Sequence, residues 1–88
     1  MVSEKTTVIN KSGLHLRPAA DLAKLAGKFK CSITINAGEK RVNPKSVLML
    51  MGAEITQGTD IELVCDGEDE KEALEALLDA INSGLGEM

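Results

Sequence analysis

The sequence predicts an α+β domain: a four-stranded antiparallel sheet with helices packed on one face, in the order β-α-β-β-α-β-α. Three observations carry that expectation. Two stretches, Cys31 to Ile35 and Ile61 to Cys65, alternate apolar and polar residues with the period of a strand. Two others, Ala19 to Phe29 and Leu74 to Ile81, repeat apolar residues every three or four positions, the period of a helix. Glycine and proline clusters separate these stretches. The 88 residues leave room for one domain, 1–88, with one modest core.

Each element has its own signal. Thr6 to Ile9 is rich in β-branched residues and reads as the end of a first strand, and Asn10-Lys11-Ser12-Gly13 as a turn. A helix follows from Leu16, with Ala19, Leu22, Ala23, Ala26 and Phe29 on one side. Pro18 is tolerated because the first turn has no use for its missing N–H. Gly27 or Lys28 ends this helix. Cys31, Ile33 and Ile35 face inward from a second strand, and Ala37-Gly38-Glu39 turns tightly into a short third strand, Lys40 to Asn43. Pro44 stops it. Ser46 is placed to cap a short helix that runs to about Gly52.

Asp60 to Asp66 forms a fourth strand with Ile61, Leu63 and Cys65 inward. Asp69 and Glu72 have the spacing of a capping box. Leu74, Leu77, Leu78 and Ile81 then make one apolar face, with Glu75 and Asp79 on the wet side and Gly84 closing the helix. Strands one and two, joined by a helix, are expected parallel with strand four between them.

Composition excludes several functions. The formal net charge is −4, and the chain has one Phe and no Trp or Tyr. A nucleic-acid binder would carry a basic patch or stacking aromatics. Cys31 and Cys65 stand far apart with no CxxC, which suits two buried free thiols in a reducing compartment. The polar stretch Met1 to Lys11 is no signal peptide, and the longest apolar run, Val47 to Met51, is too short to span a bilayer. The expectation is a cytoplasmic protein with no membrane insertion.

Chemistry concentrates at His15, the only histidine. It falls where a turn meets a helix start, so the amides of Leu16 and Arg17 point outward at the positive end of the helix dipole. Arg17 adds a forked cation. Ser12 and Gly13 let the turn bring backbone close to the imidazole. A neutral imidazole attacks phosphorus well, and the product anion would be held by the same amides and by Arg17. His15 then serves as a covalent way-station, with in-line transfer and neither metal nor cofactor required from this chain. A lone histidine at a helix start is more often a capping or surface residue, so the local physics alone leaves the two readings even.

The stretch Gly13-Leu14-His15-Leu16-Arg17-Pro18-Ala19-Ala20 resembles the active-site motif of HPr, the histidine-containing phosphocarrier family of the sugar phosphotransferase system. The likeness extends over the whole chain, including Asn43-Pro44-Lys45-Ser46-Val47 and the tail Ser83-Gly84-Leu85-Gly86-Glu87. It implies an open-faced β-sandwich that acts as a monomer. Enzyme I, charged by phosphoenolpyruvate, would phosphorylate Nδ1 of His15, and the group would pass to an enzyme IIA domain of a sugar permease. Lys45-Ser46-Val47-Leu48 looks like the site at which an HPr kinase/phosphorylase modifies a serine, a step that implies a transcriptional repressor as partner. Val47, Leu48 and Met51 are implied as docking contacts.

Three residues depart from the family pattern: Leu16 stands where alanine is usual, Pro44 where an aliphatic residue is, and Glu54 where glycine is. Other readings rank lower. A purely regulatory relative acting through phospho-Ser46 in catabolite repression would lack the histidine. An acylphosphatase would need a phosphate-cradling loop that Asn10-Lys11-Ser12-Gly13 resembles poorly.

Overall fold

The computed structural model describes residues 1–11 and 13–85. Its elements are β1 (Val2–Thr7), α1 (Leu16–Ala26), β2 (Ser32–Ala37), β3 (Lys40–Val42), α2 (Val47–Gly52), β4 (Asp60–Asp66) and α3 (Glu70–Asn82). The predicted order therefore holds. The sheet runs β1-β4-β2-β3 with every neighbouring pair antiparallel, which leaves β1 and β2 parallel on either side of β4.

Strand alternation decides the layers. Ile33, Ile35, Ile61, Leu63 and Cys65 point to the helices and are buried, together with Leu22 of α1, Leu50 of α2 and Leu77 and Ile81 of α3. Each such aliphatic side chain contributes about 1.5–3 kcal/mol, so this core needs no aromatic filler. The other face of the sheet is left open. The hairpin between β2 and β3 turns through Gly38 at φ +63°, the positive φ that a two-residue turn wants.

Two expectations need correction. The first strand spans Val2–Thr7 rather than ending at Ile9. Gly58, at φ +86°, turns the partner chain away, and Val8 reaches across only through backbone bonds to Gly58 and Thr59. The Asp69–Glu72 capping box does not form. Asp69 is the N-cap of α3 but makes no side-chain cap bond. Its carboxylate instead accepts the backbone N–H groups of Lys30 and Cys31 at 2.8 and 2.9 Å, a tertiary clasp that outcompetes the local one. Phe29, counted on the α1 stripe, lies beyond the helix and packs against the core from the following loop.

The end of α3 has the form expected of its glycine. Ser83 is the C-cap and Gly84 follows at φ +81°. The N–H groups of Gly84 and Leu85 donate to the carbonyls of Ile81 and Ala80, a Schellman closure with Leu85 buried beneath it.

The Asp69 clasp carries a pH dependence. The Lys30 amide, then the Cys31 amide and thiol, hold the Asp69 carboxyl below the usual carboxylate range; the Gly67 amide and then the N-terminal ammonium do the same for Glu70. A depressed carboxylate stabilises the fold above its unfolded value, about pH 4, and that stability is lost as the pH falls through the folded value. The thermal midpoint should therefore fall on acidification below about pH 4, and less steeply in Asp69→Asn. Parallel acid profiles for the two proteins would show that the clasp is not the titrating group.

Both cysteines are buried free thiols, as expected. Burial, and then Asp69 beside it, pushes the Cys31 thiol up to about 11, and burial raises Cys65 as well.

Candidate functional site

The site is built where the chain leaves β1 for α1. Asn10 is almost fully buried, and its Nδ2 donates to the Gly84 carbonyl at 2.7 Å. The turn closes with Gly13 N–H on the Asn10 carbonyl, and Leu14 N–H then donates to the Ile55 carbonyl at 2.9 Å. Gly13 adopts φ +64°, and a Cβ there would sit 2.1 Å from the Ile55 oxygen. Glycine is required on both counts. Leu14 is buried just before the helix and anchors the turn.

His15 is the next residue and the N-cap of α1, with extended backbone at φ −77° and ψ −169°. Its side chain makes no cap bond and is exposed. Its carbonyl accepts the Ala19 N–H at 2.9 Å, the first bond of the helix. Pro18 has no N–H, so the outward donors of this first turn are the amides of Leu16 and Arg17. No acidic residue stands in that turn to neutralise it. Arg17 is exposed, the second residue of the helix, and Leu16 is 61% exposed next to His15. Ser12, the remaining residue singled out in this turn, lies outside the described residues, as do Gly86 and Glu87 of the tail.

Helix α2 packs against α1. Ser46 is its N-cap, and Oγ accepts the Met49 N–H at 3.3 Å, as its place in the sequence predicts. Leu50 is the buried residue of this helix. Val47 packs partly against the core, whereas Leu48 is 84% exposed and Met51 and Met49 are exposed too. The chain leaving α2 returns to the His15 turn through the Leu14–Ile55 bond, so Met51 is at the near end of the helix and Ser46 at the far end. Six helical residues span roughly 9 Å, so the length of α2 lies between Ser46 and the end of the helix nearer His15.

The loop between α2 and the turn explains one departure. Glu54 has φ +53°, a left-handed conformation that costs a non-glycine residue about 1 kcal/mol. The loop is held despite this by the Lys40 ammonium on the Ala53 carbonyl at 2.7 Å and by the Leu14–Ile55 bond. Pro44 is fully buried ahead of α2.

Sequence reasoning missed Asn10 and Ile55 as parts that position the site. Asn10 reads as an ordinary turn residue, and Ile55 acts through a contact distant in sequence. One surface cleft, of about 500 Å³, lies on the open face of the sheet along Lys5, Thr7, Asn36 and Glu62. His15 itself is exposed at the surface.

A family model described as "PTS HPr component phosphorylation site" matches residues 2–83. The chain belongs to the HPr family. It is similar to phosphocarrier protein HPr of Neisseria meningitidis serogroup A, at 41% identity over 99% of this chain and 98% of that protein. The crystal structure of HPr from Thermoanaerobacter tengcongensis superposes with a TM-score of 0.95 at 40% identity, covering 100% of this chain and 99% of that one. The Bacillus subtilis catabolite repression protein Crh, whose crystal structure is described as a swapped-domain dimer, matches with a TM-score of 0.76 at 38% identity, over 96% and 97% of the two chains. HPr proteins are phosphocarriers of the phosphotransferase system rather than catalysts, and the four-stranded sheet with helices on one face is their architecture.

Proposed function

We propose that His15 is the phosphoryl acceptor of this HPr, taking the group from charged enzyme I and giving it to an enzyme IIA domain. The observation that carries this is an exposed imidazole at the N-cap of α1, with no side-chain cap bond and with the Leu16 and Arg17 amides beyond it. In each transfer the bond from Nδ1 to phosphorus forms as the bond from phosphorus to the donor breaks, in line, and the reverse releases it. The two amides and Arg17 hold the anion. Ser12, which precedes Gly13 in the sequence, is assigned with Arg17 to assisting His15. The whole chain, 1–88, acts as one domain.

Incubation with enzyme I and phosphoenolpyruvate should add one phosphate by intact mass, labile in acid. Steady release of inorganic phosphate from an acyl phosphate would point to an acylphosphatase instead.

Leu48 and Met51, with the outer part of Val47, are the docking contacts, because a cluster of exposed apolar residues beside a reactive group marks a surface that partners cover. Leu48→Asp should weaken enzyme I binding about tenfold or more while circular dichroism stays native. Undiminished binding by calorimetry would remove this face from the interface.

Ser46 is the regulatory site, modified by an HPr kinase/phosphorylase and then read by a transcriptional repressor. A phosphate is tolerated at a helix N-terminus, and its charge would act on the docking face rather than on His15 itself. Ser46→Asp should fold normally yet slow His15 phosphorylation by enzyme I; equal rates for mutant and parent would exclude the switch. A regulation-only role through phospho-Ser46 is disfavoured by His15 itself.

The chain works in the cytoplasm. No helix among the described residues is long and apolar enough to cross a membrane. The chain is proposed to act as a monomer; the swapped-domain dimer described for Crh is the alternative assembly, and sedimentation of this chain distinguishes the two.

A further inference from the structure

We propose that the uncovered rim of β2, from Ser32 to Thr34, is a docking groove for an extended acidic segment of a partner protein, which adds there as a strand. The proposal does not depend on His15 being the phosphoryl acceptor.

The first ground is the register of the sheet. On one side, β4 pairs with β2 from Ser32 to Asn36. On the other, β3 pairs only with Ile35, Asn36 and Ala37. Asn43 and Pro44 then carry the chain away into α2, so Ser32 to Thr34 has a ladder partner on the β4 side alone. An unpaired rim of this kind is a template for another strand.

A cleft of about 450 Å³ lies along this rim. Its walls include Cys31 and Ile33, which face the core, as well as Ser32 and Thr34, which face the open side of the sheet. Residues of both faces meet in one cleft only at the edge of a strand.

Charge supplies the second ground. Lys30, Arg41 and Lys45 line the cleft and no carboxylate does, although the chain has 14 acidic and 10 basic residues. Lys45 is fixed at one end, its ammonium donating to the carbonyls of Phe29 and Cys31 at 2.8 and 2.9 Å. An ammonium has three donors, so one remains. Among the described residues, neither Lys30 nor Arg41 makes an ion pair. Met49, 46% exposed, adds an adaptable apolar wall.

Backbone pairing along the rim with carboxylates against three cations describes an extended acidic peptide. A compact anion would use the charges but leave the rim unpaired. His15 and Arg17 do not line this cleft, so a partner segment can occupy it while the phosphoryl group is exchanged.

The test titrates the ¹⁵N-labelled full chain with a short capped peptide of alternating glutamate and valine, and separately with its lysine–valine counterpart. The acidic peptide should shift the resonances of Ser32 to Thr34, Arg41 and Asn43, and slow amide hydrogen exchange at the rim. Combined Lys30→Glu and Arg41→Glu substitution should weaken binding about tenfold or more, and added salt should weaken it too. Phosphate uptake on His15 should be unaffected by the substitutions. Equal binding of the lysine–valine peptide would overturn the proposal, as would shifts confined to the start of α1. So would pyrophosphate reproducing the same shifts and displacing the peptide, which would make the cleft a small-anion site.

Discussion

A His15→Ala chain is expected to take up no phosphate from charged enzyme I and to unfold at nearly the same temperature as its parent. The two halves of this result have separate causes. His15 is the only imidazole in the sequence, so no second nitrogen of its kind can accept the group. The side chain is exposed, so its removal should change stability by only about 0.5 kcal/mol. The helix keeps its first bond, because that bond uses the His15 carbonyl. Arg17→Ala should behave differently, accepting phosphate more slowly but still to one equivalent, because the two amides remain. Intact mass before and after acid treatment distinguishes the cases. An acid-labile adduct on the His15→Ala protein would end the assignment.

Gly13→Ala should be the most damaging single methyl group in the molecule's active turn. The added Cβ would lie 2.1 Å from the Ile55 oxygen and 2.7 Å from the Thr56 Cα, both backbone atoms that cannot swing aside. Left-handed backbone adds about 1 kcal/mol, overpacking 1–3 kcal/mol and the displaced Leu14–Ile55 bond about 1 kcal/mol. The sum, roughly 3–5 kcal/mol, is a large share of the 5–15 kcal/mol that holds a typical domain together. Gly38 and Gly58 provide the control. Both have positive φ, yet a Cβ at either meets nothing within 4 Å, so alanine there should cost only about 1 kcal/mol. Urea midpoints measure all three. If Gly13→Ala is no worse than Gly38→Ala, the close approach of the two backbones is not what holds the turn.

The parts legible in the sequence are those whose causes are local. Alternation at Ile33, Ile35, Ile61 and Leu63 located the two central strands because each has one buried face. The helical stripe from Ala19 to Ala26 and the Ser46 cap are likewise decided within a few residues. What could not be read depends on remote partners. β1 is an edge strand in which Val2 alone is apolar, so its start at Val2 is fixed by pairing with Cys65 rather than by periodicity. Asp69 carries a strong local capping signal, and the peptide beyond Lys30 overrides it. At the site, the identity of His15 and its place at a helix start were visible, but the support beneath it was not. Gly13 is intelligible only once Ile55 lies against it, and Asn10 only once Gly84 has arrived.

That last bond ties the order of synthesis to function. Asn10 emerges from a ribosome 74 residues ahead of Gly84, yet the turn that carries His15 is braced by their contact. Translation must therefore deliver α3 before that turn gains its full support, and a nascent chain halted before Gly84 would present the histidine without its brace.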